Sequence, residues 1–291
     1  MTPAAPVPRR LAVAAHPKIE EAAALAMEIA AFLSARGAAV QHGALQEEDL
    51  AGRLRQGAFD MLIALGGDGT MLRAGHLCAA SQVPILGINL GRFGFLTEVR
   101  PDHWQPVLER ILVGDYWIER RMMLRAEHQT IDGKAQSKWE VLNECVVGRG
   151  EVARPVRLTA EIDGRFLTTY VADGIIVATP TGSTAYALAA GGPILPPTLR
   201  NILLVPVAPH LSVDRAIVLD EGSSVRVTIH TDHQATLSVD GQSPERMADG
   251  ESVAVRASEH SASFVRLQDP GYFYRNLTSR MNQNPSAGGG A

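Results

Sequence analysis

"LIALGGDGTMLRAG", residues 62–75, is the stretch of sequence that decides the fold. It continues an apolar run that begins at residue 59, as expected of a central strand of a parallel sheet, which is buried on both faces. Two glycines then permit a sharp turn, and residues 70–80 have the pattern of a helix. Ligands of open α/β sheets bind at this end of a strand. The stretch therefore predicts an α/β domain with a ligand site at the turn, where an acid, Asp68, also lies.

The sequence on either side repeats the alternation of strand and helix. Residues 11–15, 38–42 and 83–89 have the composition of strands. Residues 19–36 form an Ala-rich segment that stops before a glycine, and residues 101–114 begin with Pro and end with Gly, both of which are typical of helices. Strands separated by helices predict a parallel sheet with helices on both faces.

The pattern changes at about Tyr116, where short β-rich runs begin. Asp-Gly pairs at 132–133, 163–164 and 240–241 separate several of these runs, and such pairs favour hairpins. We therefore predict a second domain that is mostly antiparallel β. The segment "YFYRNLTSRMNQ", residues 272–283, has helical character again, and we expect the end of the chain to return to the first domain.

These patterns predict a domain organisation. The expected fold class is an N-terminal parallel-sheet α/β domain followed by a C-terminal β-rich domain. The predicted bounds are a disordered tail at 1–10, an α/β domain at 11–115 with 270–282, a β-rich domain at 116–269, and a disordered tail at 283–291. A site that uses motifs from both domains is expected at their interface.

Composition excludes several classes of function. The chain has 291 residues, of which 46% are hydrophobic and 20% charged, and its net charge is −4. It contains no run of about eighteen apolar residues, so no membrane partner is expected. The absence of a basic excess argues against nucleic-acid binding. Cys78 and Cys145 lack the spacing of a metal site, and the chain shows no secretory signal, so we expect a cytoplasmic protein with reduced thiols.

Familiar catalytic motifs are absent. The chain has neither a P-loop nor a G-x-S-x-G nucleophile elbow. A G-x-G-x-x-A match at residues 148–153 is followed by Pro155 and not by a helix pattern, so we interpret it as part of a β loop.

Four other segments suggest chemistry, each with a simpler alternative. GGDGT, residues 66–70, places backbone N–H groups where an anion could bind, but Asp68 or Thr70 could equally cap the helix. In LNECVV, residues 142–147, a polar pair either faces a ligand or marks a strand end. TPTGST, residues 179–184, has more hydroxyls than one cap requires and suits ribose or phosphate. LSVDGQ, residues 237–242, is by itself a hairpin turn.

Together and in this order, these segments resemble the NAD kinase family. The resemblance runs from about Leu11 to Asn282. The family pattern is GGDG[TN], then [ND][DE] on a strand, then TPTGSTAY with a trailing AGGP, then a strand that ends in DG, and each element is present. Lipid kinases share GGDGT, whereas "TPTGSTAYALAAGGPI", residues 179–194, is specific to NAD kinases.

The resemblance implies a role for each matching residue. Asp68 would accept the proton of the 2′-hydroxyl of the adenosine ribose of NAD, and His210 matches a Pro-His step without an assigned role. The implied phosphate loop consists of Gly66, Gly67, Gly69 and Thr70. The implied contacts with NAD are Asp68, Gly69, Arg73, Asn143, Glu144, Arg154, Val171, Asp173, Thr184, Ala185, Tyr186, Ala187, Leu188, Ala189, Ala208 and Gln242. No residue is assigned as a metal ligand.

The implied reaction is transfer of the γ-phosphoryl group of ATP to NAD, which yields NADP. A carboxylate beside the phosphates would repel them, so Asp68 is expected on the side of the accepting hydroxyl. Its alternative role is to bind a divalent cation, expected to be Mg²⁺, that bridges the ATP oxygens. The family also implies a homodimer or homotetramer. The competing hypotheses are a lipid kinase with the same loop and a non-catalytic NAD(P)-binding regulator.

Overall fold

The chain forms two compact units in a computed structural model. The structure describes residues 5–91, 94–151, 154–210, 213–275 and 277. Unit 1 comprises residues 1–120 with 261–291, and unit 2 comprises residues 121–260. Unit 1 is an α/β layer and unit 2 is built almost entirely of strands.

Unit 1 alternates strands with helices. Its strands are β1 (Arg10–Ala15), β2 (Ala39–Ala44), β3 (Met61–Leu65) and β4 (Ile85–Ile88). Its helices are α1 (Glu20–Ser34), α2 (Glu48–Arg55), α3 (Asp68–Cys78) and α4 (Trp104–Leu112), the last preceded by a 3₁₀ turn at Pro101–His103.

Among the described residues, the remaining twelve strands lie wholly or partly in unit 2. These are β5 (Trp117–Gln129), β6 (Ala135–Val141), β7 (Glu144–Arg149), β8 (Val156–Ile162), β9 (Arg165–Ala172), β10 (Gly174–Ala178), β11 (Asn201–Val207), β12 (Ile217–Asp220), β13 (Ser224–His230), β14 (Ala235–Val239), β15 (Glu245–Met247) and β16 (Ser252–Arg266). A 3₁₀ turn (Gly182–Thr184) and helix α5 (Tyr186–Ala189) lie between β10 and β11. Strands β5 and β16 each run across a boundary between the units.

The sheet of unit 1 is parallel and has the order β2–β1–β3–β4. Strand β3 lies inside it, and all five of its residues are buried and apolar, as expected of a strand covered on both faces. The end of β16 extends this sheet, because Phe264 pairs in parallel with Ile85 of β4. Parallel strands place their carboxyl ends at one edge of the sheet, so the residues that follow β3 and β4 are neighbours there.

Two sheets enclose the core of unit 2. One is antiparallel with the order β12–β11–β10–β7–β14–β15. In the other, β13 pairs with β16 and β8, β8 pairs with β9, and β5 pairs with β6. Cys145 and Ile175 of the first sheet and Leu158 and Val227 of the second are fully buried in one hydrophobic cluster. Burial of the facing apolar surfaces is the main stabilising term for such a layer.

The predicted hairpins are confirmed. The Asp-Gly pairs connect β5 with β6, β8 with β9, and β14 with β15, which all pair as antiparallel neighbours. Asp163 and Gly164 have φ of 52° and 71°, and Asp240 and Gly241 have φ of 47° and 69°. Two successive residues with positive φ match the type I′ geometry that Asp-Gly favours.

Helix α2 was missed by the sequence analysis. Its eight residues, "EDLAGRLR", are mostly polar, and only Leu50, Ala51 and Leu54 are buried. Three apolar residues over two turns are too weak a periodic signal to distinguish a helix from a loop.

The ends of the chain and the unit boundaries differ in detail from the predicted bounds. Residues 5–9, assigned to a disordered tail, contact the rest of unit 1: the N–H of Ala5 donates to the carbonyl of Gly114 at 3.0 Å, and the Tyr116 hydroxyl donates to the carbonyl of Pro6 at 2.6 Å. The boundaries fall within β5 and β16, since the β-rich pattern begins before the chain leaves unit 1. Residues 272–275 are helical, and the predicted tail at 283–291 lies outside the described residues. No helix among the described residues has both the length and the apolar character needed to span a membrane.

Candidate active site

The GGDGT segment connects β3 to α3. The helix has Gly67 as its N-cap and no side-chain capping hydrogen bond, so neither Asp68 nor Thr70 caps it. A Cβ on Gly66 would overlap the side chain of Thr70, so the chain requires glycine there for close packing. A Cβ on Gly67 or Gly69 would meet nothing within 4 Å. These two glycines therefore leave the backbone of the turn open to a ligand.

The carboxylate of Asp68 is held by the loop that follows β4. The backbone N–H of Phe95 donates to Oδ2 at 2.8 Å, and the N–H of Leu96 donates to Oδ1 at 3.1 Å. A Cβ on Gly94 would overlap this carboxylate, so glycine permits the close approach of the loop. Each carboxylate oxygen can accept two hydrogen bonds. Both oxygens of Asp68 therefore keep the capacity to accept one more, for example from a hydroxyl.

This loop is part of the candidate site that the sequence analysis missed. It begins at the carboxyl end of β4, the neighbour of β3 in the sheet, and the sequence "GRFGFL", residues 91–96, has two glycines and two aromatic residues there. The rule that parallel strands share a ligand-binding edge could have singled it out. Residues 92 and 93 lie outside the described residues.

Two further polar atoms at this edge lack a partner among the described residues. They are Oγ1 of Thr70 and Oδ1 of Asn89, and both residues are buried. The ends of β3 and β4 are joined because the N–H of Gly66 donates to the carbonyl of Ile88 at 3.0 Å. Buried polar atoms normally have a hydrogen-bond partner, so such atoms are candidates for ligand contacts.

In unit 2, Asp240 organises the Asn143–Glu144 pair. Its carboxylate accepts hydrogen bonds from the backbone N–H groups of Leu142, Asn143 and Glu144 at 2.7, 2.8 and 2.9 Å. The N–H of Asp240 donates to the carbonyl of Glu144 at 2.9 Å. Asn143 lies between β6 and β7, so the polar pair is at a strand end, as the simpler alternative held. From the sequence, Asp240 was assigned to a turn only, and this contact was not predicted.

The TPTGST segment packs on the same stretch of backbone. The hydroxyl of Thr179 donates to the carbonyl of Leu142 at 2.6 Å and accepts from the N–H of Gly182 at 3.1 Å. A Cβ on Gly182 would overlap the carbonyl of Asn143. The hydroxyl of Ser183 donates to a backbone carbonyl at 2.7 Å. Thr179 and Ser183 therefore hold the backbone in place, and they bring α5 beside Glu144.

Glu144 is the most perturbed acid of this region. The residue is 8% exposed, and its carboxyl accepts a hydrogen bond from the N–H of Tyr186. Burial, assisted by the negative charge of Asp240, raises the pKa of Glu144 to about 8. Its Oε2 and the Oγ1 of Thr181 have no hydrogen-bond partner among the described residues. At neutral pH the carboxyl is therefore protonated and can both donate and accept a hydrogen bond.

Comparison with known proteins assigns the chain to a family. The model of the ATP-NAD kinase N-terminal domain matches residues 40–116, and that of the C-terminal domain matches residues 142–267. The NAD kinase of Dehalococcoides mccartyi is 37% identical over 277 residues, which cover 95% of this chain and 97% of the relative. The chain belongs to the NAD kinase family. The NAD kinase of Chloroflexus aurantiacus is 40% identical over 275 residues, with 94% of this chain and 99% of the relative covered.

Solved structures of NAD kinases have the same fold. A yeast NADH kinase complexed with NADH superposes with a TM-score of 0.82 at 26% identity, and the match covers 95% of this chain and 88% of that chain. An NAD kinase from Archaeoglobus fulgidus in complex with ATP gives a TM-score of 0.77 at 27% identity, with 94% and 99% covered. These likenesses confirm the predicted fold class. Matches of this extent go far beyond the GGDGT loop that lipid kinases share, so they favour an NAD kinase over a lipid kinase.

The part of this NAD kinase family member that the structure describes has no preformed metal site. No group of three or more His, Cys, Asp or Glu side chains in it could hold a metal ion. Mg²⁺ in kinases is bound through one or two carboxylates together with the substrate phosphates. Among the described residues, a divalent cation would therefore need ligands in addition to the protein side chains, such as the phosphates of a nucleotide.

The unit 2 residues that the family resemblance implies as NAD contacts lie in two groups, one at each end of the paired strands β7 and β10. Ala178 pairs with Glu144 at one end, and Gly174 pairs with Gly148 at the other. Five residues of β10 separate these ends by about 13 Å. The positions at the Glu144 end are Asn143, Glu144, Thr184, Ala185, Tyr186, Ala187, Leu188, Ala189 and Gln242.

The other end of these strands carries Arg154, Val171, Asp173 and Ala208. Asp173 forms an ion pair with Arg149 at 3.0 Å, and its N–H donates to the carbonyl of Val207. His210, which had no assigned role, donates its N–H to the carbonyl of Val171 at 2.7 Å. In unit 1, Asp68, Gly69 and Arg73 lie on α3, where Arg73 is exposed. The structure thus groups the predicted residues into three clusters: α3, the Glu144 end and the Asp173 end.

Proposed function

We propose that this chain is an NAD kinase in which Asp68 orients and deprotonates the 2′-hydroxyl of the adenosine ribose of NAD for attack on the γ-phosphoryl group of ATP. The family assignment supports an ATP-dependent kinase that phosphorylates NAD. The observation that carries the role of Asp68 is its geometry: two backbone N–H groups fix the carboxylate, and each oxygen can accept another hydrogen bond.

The chemistry of phosphoryl transfer matches such a carboxylate. The transition state is loose, so positioning and electrostatics supply most of the rate. An ionised carboxylate in contact with the phosphates would repel them, whereas one beside the accepting hydroxyl orients it and takes its proton. A regulator that only bound nucleotide would have no need of an acid in this position.

Unit 2 supplies the proposed NAD contacts. The protonated carboxyl of Glu144 offers a donor and an acceptor to ribose or base without adding negative charge. The half-exposed ring of Tyr186, on α5 beside it, provides an aromatic surface for the adenosine. Arg154, Val171, Asp173 and Ala208 would contact another part of an extended dinucleotide, since they lie at the opposite end of the strands.

ATP is the proposed phosphoryl donor. We propose that the divalent cation is Mg²⁺ and that it enters the site bound to ATP. The Gly67–Gly69 turn, with open space around both glycines, is the proposed phosphate contact. We also propose a cytoplasmic location, which the two free, buried thiols favour, and a homodimer or homotetramer, which the family resemblance implies. Sedimentation of the purified protein tests the assembly.

The test is formation of NADP from ATP, Mg²⁺ and NAD by the wild-type protein and by Asp68→Asn. We expect kcat to fall about 10²- to 10⁴-fold in the variant, with NAD and ATP still bound. Asp102→Asn, a change of an exposed acid in unit 1, is the matched control and should keep wild-type kcat. If high Mg²⁺ restores the rate of Asp68→Asn, the result would contradict the role of Asp68 as a base and favour its role in binding a cation. No NADP from the wild-type protein with nucleotide binding intact would favour the regulator.

A further inference from the structure

A buried ion cluster lies behind the loop that holds Asp68. Arg266, at the end of β16, has a side chain that is 1% exposed, and Glu119 at the start of β5 is equally buried. Nη2 of Arg266 lies 2.9 Å from Oε2 of Glu119, and Nε donates to the same oxygen at 3.0 Å. The Tyr272 hydroxyl donates to the Glu119 carboxylate at 2.9 Å. All three residues belong to unit 1.

This cluster is connected to Asp68 through one residue of the loop. Nη1 of Arg266 donates to the carbonyl of Leu96 at 3.1 Å, and the N–H of Leu96 donates to Oδ1 of Asp68 at 3.1 Å. Leu96 is therefore held on its carbonyl side by the buried guanidinium while its N–H holds the carboxylate. The hydrogen bond from Phe95 to Oδ2 depends on the same stretch of backbone.

A second contact fixes the far end of the loop. The carboxylate of Glu98 accepts hydrogen bonds from the N–H groups of Leu267 and Gln268 at 3.2 and 2.8 Å, and it lies 3.8 Å from Nη1 of Arg266. Burial alone would lower the pKa of Arg266, but Glu119, with smaller contributions from Tyr272 and Glu98, outweighs burial, and the pKa of the guanidinium is raised. The loop is thus fixed to the end of β16 at both Leu96 and Glu98.

Stability alone is a weak reason for such a cluster. Taking charges out of water is costly, and a buried ion pair replaced by apolar residues of similar size is often as stable or more so. A planar guanidinium instead provides geometry: it can bind a carboxylate and a carbonyl at once in fixed directions, which a lysine ammonium does not reproduce. Catalytic groups need such supporting contacts, since small displacements reduce the rate.

We propose that Arg266, supported by Glu119 and Tyr272, is a positioning residue that fixes the Asp68 carboxylate through the backbone of Leu96. The proposal rests on the proposed role of Asp68. It assigns a function in the chemical step to a residue at the end of β16 that lies 198 positions after Asp68 in the sequence.

The first test is Arg266→Lys, which keeps the buried positive charge and removes the planar guanidinium with its N–H donors in fixed directions. We expect kcat to fall roughly 10- to 100-fold, with KM for NAD and for ATP within about twofold of wild type. Tyr272→Phe removes one hydrogen bond from Glu119 and keeps the ring, and it should lower kcat by a smaller factor. Unchanged kcat in a folded Arg266→Lys, or a raised KM at unchanged kcat, would overturn the proposal.

Two controls separate positioning from loss of stability. Arg10→Lys makes the same substitution in an exposed ion pair with Asp60 and should keep wild-type kcat. Ile29→Val removes one methylene from the core at α1, and it should lower the melting temperature while kcat of the folded protein is kept.

The second test repeats Arg266→Lys in an Asp68→Asn background. If Arg266 acts through Asp68, the double variant should have the residual kcat of Asp68→Asn, since no carboxylate remains to be positioned. A further 10-fold loss in the double variant would overturn the proposal. Failure of the two hypotheses is distinguishable: full activity of Asp68→Asn contradicts the proposed function, whereas an inactive Asp68→Asn with a fully active Arg266→Lys contradicts only the positioning role.

Discussion

The backbone N–H of Glu144 donates a hydrogen bond of 2.9 Å to the carboxylate of Asp240. The negative charge of Asp240 also acts on the buried carboxyl of Glu144. Burial is the main cause of the raised pKa of Glu144, and Asp240, which orients the backbone of Glu144, raises that pKa further. Asp240 also accepts hydrogen bonds from Leu142 and Asn143 and satisfies three backbone donors in total. The pair couples the geometry of the proposed NAD contact to its protonation state.

The stability of the fold should depend on pH through Glu144. The pKa of its carboxyl is about 8 in the folded protein against an ordinary value of 4.5. The folded chain therefore keeps a proton that the unfolded chain has released between these values. The stabilisation is complete below about pH 4.5 and is lost as pH rises to about 8. We expect Glu144→Gln to remove this loss, so that its melting temperature exceeds that of wild type at pH 9 by more than at pH 6. Glu259→Gln, a change of an exposed acid, is the control. If the melting temperatures of Glu144→Gln and of the wild type depend equally on pH, the result would contradict the raised pKa of Glu144.

The affinity for NAD should follow the same titration. In the proposed NAD contact, protonated Glu144 would donate a hydrogen bond below about pH 8, whereas ionised Glu144 would place a negative charge beside the dinucleotide above that pH. We expect KM for NAD of the wild type to rise above pH 8 and that of Glu144→Gln to stay level. Steady-state kinetics from pH 6.5 to about 9.5 measure this. A rise of the same size in the glutamine variant would assign the titration to another group.

Asp240→Asn should weaken NAD binding. The amide retains one acceptor oxygen where the carboxylate has two, so backbone N–H groups at 142–144 lose partners. We expect the free energy of unfolding to fall by about 1–3 kcal/mol and KM for NAD to rise about tenfold.

Asp163→Asn is the matched control for this change. Asp163 also precedes a glycine, has a φ of 52° and accepts a backbone hydrogen bond, from Ser224 at 2.7 Å. It should lose stability without a change in KM for NAD. Equal KM values for NAD in the two variants would show that Asp240 stabilises the fold and has no role in NAD binding.

Gly94→Ala should impair the chemical step. The new Cβ would overlap the carboxylate of Asp68, which must then leave the Phe95 and Leu96 amides. We expect kcat to fall roughly tenfold or more with little change in KM for ATP. In Gly52→Ala, on α2, the Cβ meets nothing within 4 Å, so this variant should keep wild-type kcat. Full activity of Gly94→Ala would mean that Asp68 works in another position.

Thr179→Val should destabilise unit 2. The variant loses the hydroxyl that donates to Leu142 and accepts from Gly182, and it leaves both backbone groups buried without that partner. We expect a loss of about 1–3 kcal/mol in the free energy of unfolding. Thr179→Ser keeps the hydroxyl and should recover most of this loss in chemical denaturation. If Thr179→Ser is as unstable as the valine variant, the methyl group and not the hydroxyl is responsible.

Local signals were read from the sequence with good success. The buried run of β3, the glycine turn and α3 were predicted because each depends on neighbouring residues only: apolar side chains for a covered strand and glycines for the turn. The Asp-Gly hairpins were predicted for the same reason. Helix α2 was not, since its few buried residues contact the fold without producing a clear period.

Supporting contacts within the candidate site were beyond the sequence analysis. Asp240 was assigned to a turn, and its second role requires Leu142, which is 98 positions away. The loop at Gly94–Leu96 was overlooked although it follows the strand next to β3. The hydroxyls of TPTGST were predicted to face a ligand, yet those of Thr179 and Ser183 donate hydrogen bonds to backbone carbonyls.

The sequence by itself determined the family, the order of elements around GGDGT and the types of side chain available for phosphoryl transfer, because motifs and short-range periodicity carry that information. Only the tertiary structure decided which groups hold Asp68, that Glu144 is protonated at neutral pH, and that Arg266 contacts Leu96 across 170 positions. Burial and through-space charge set these properties. Both depend on residues that folding brings together from distant parts of the chain, so neither can be obtained from a local stretch of sequence.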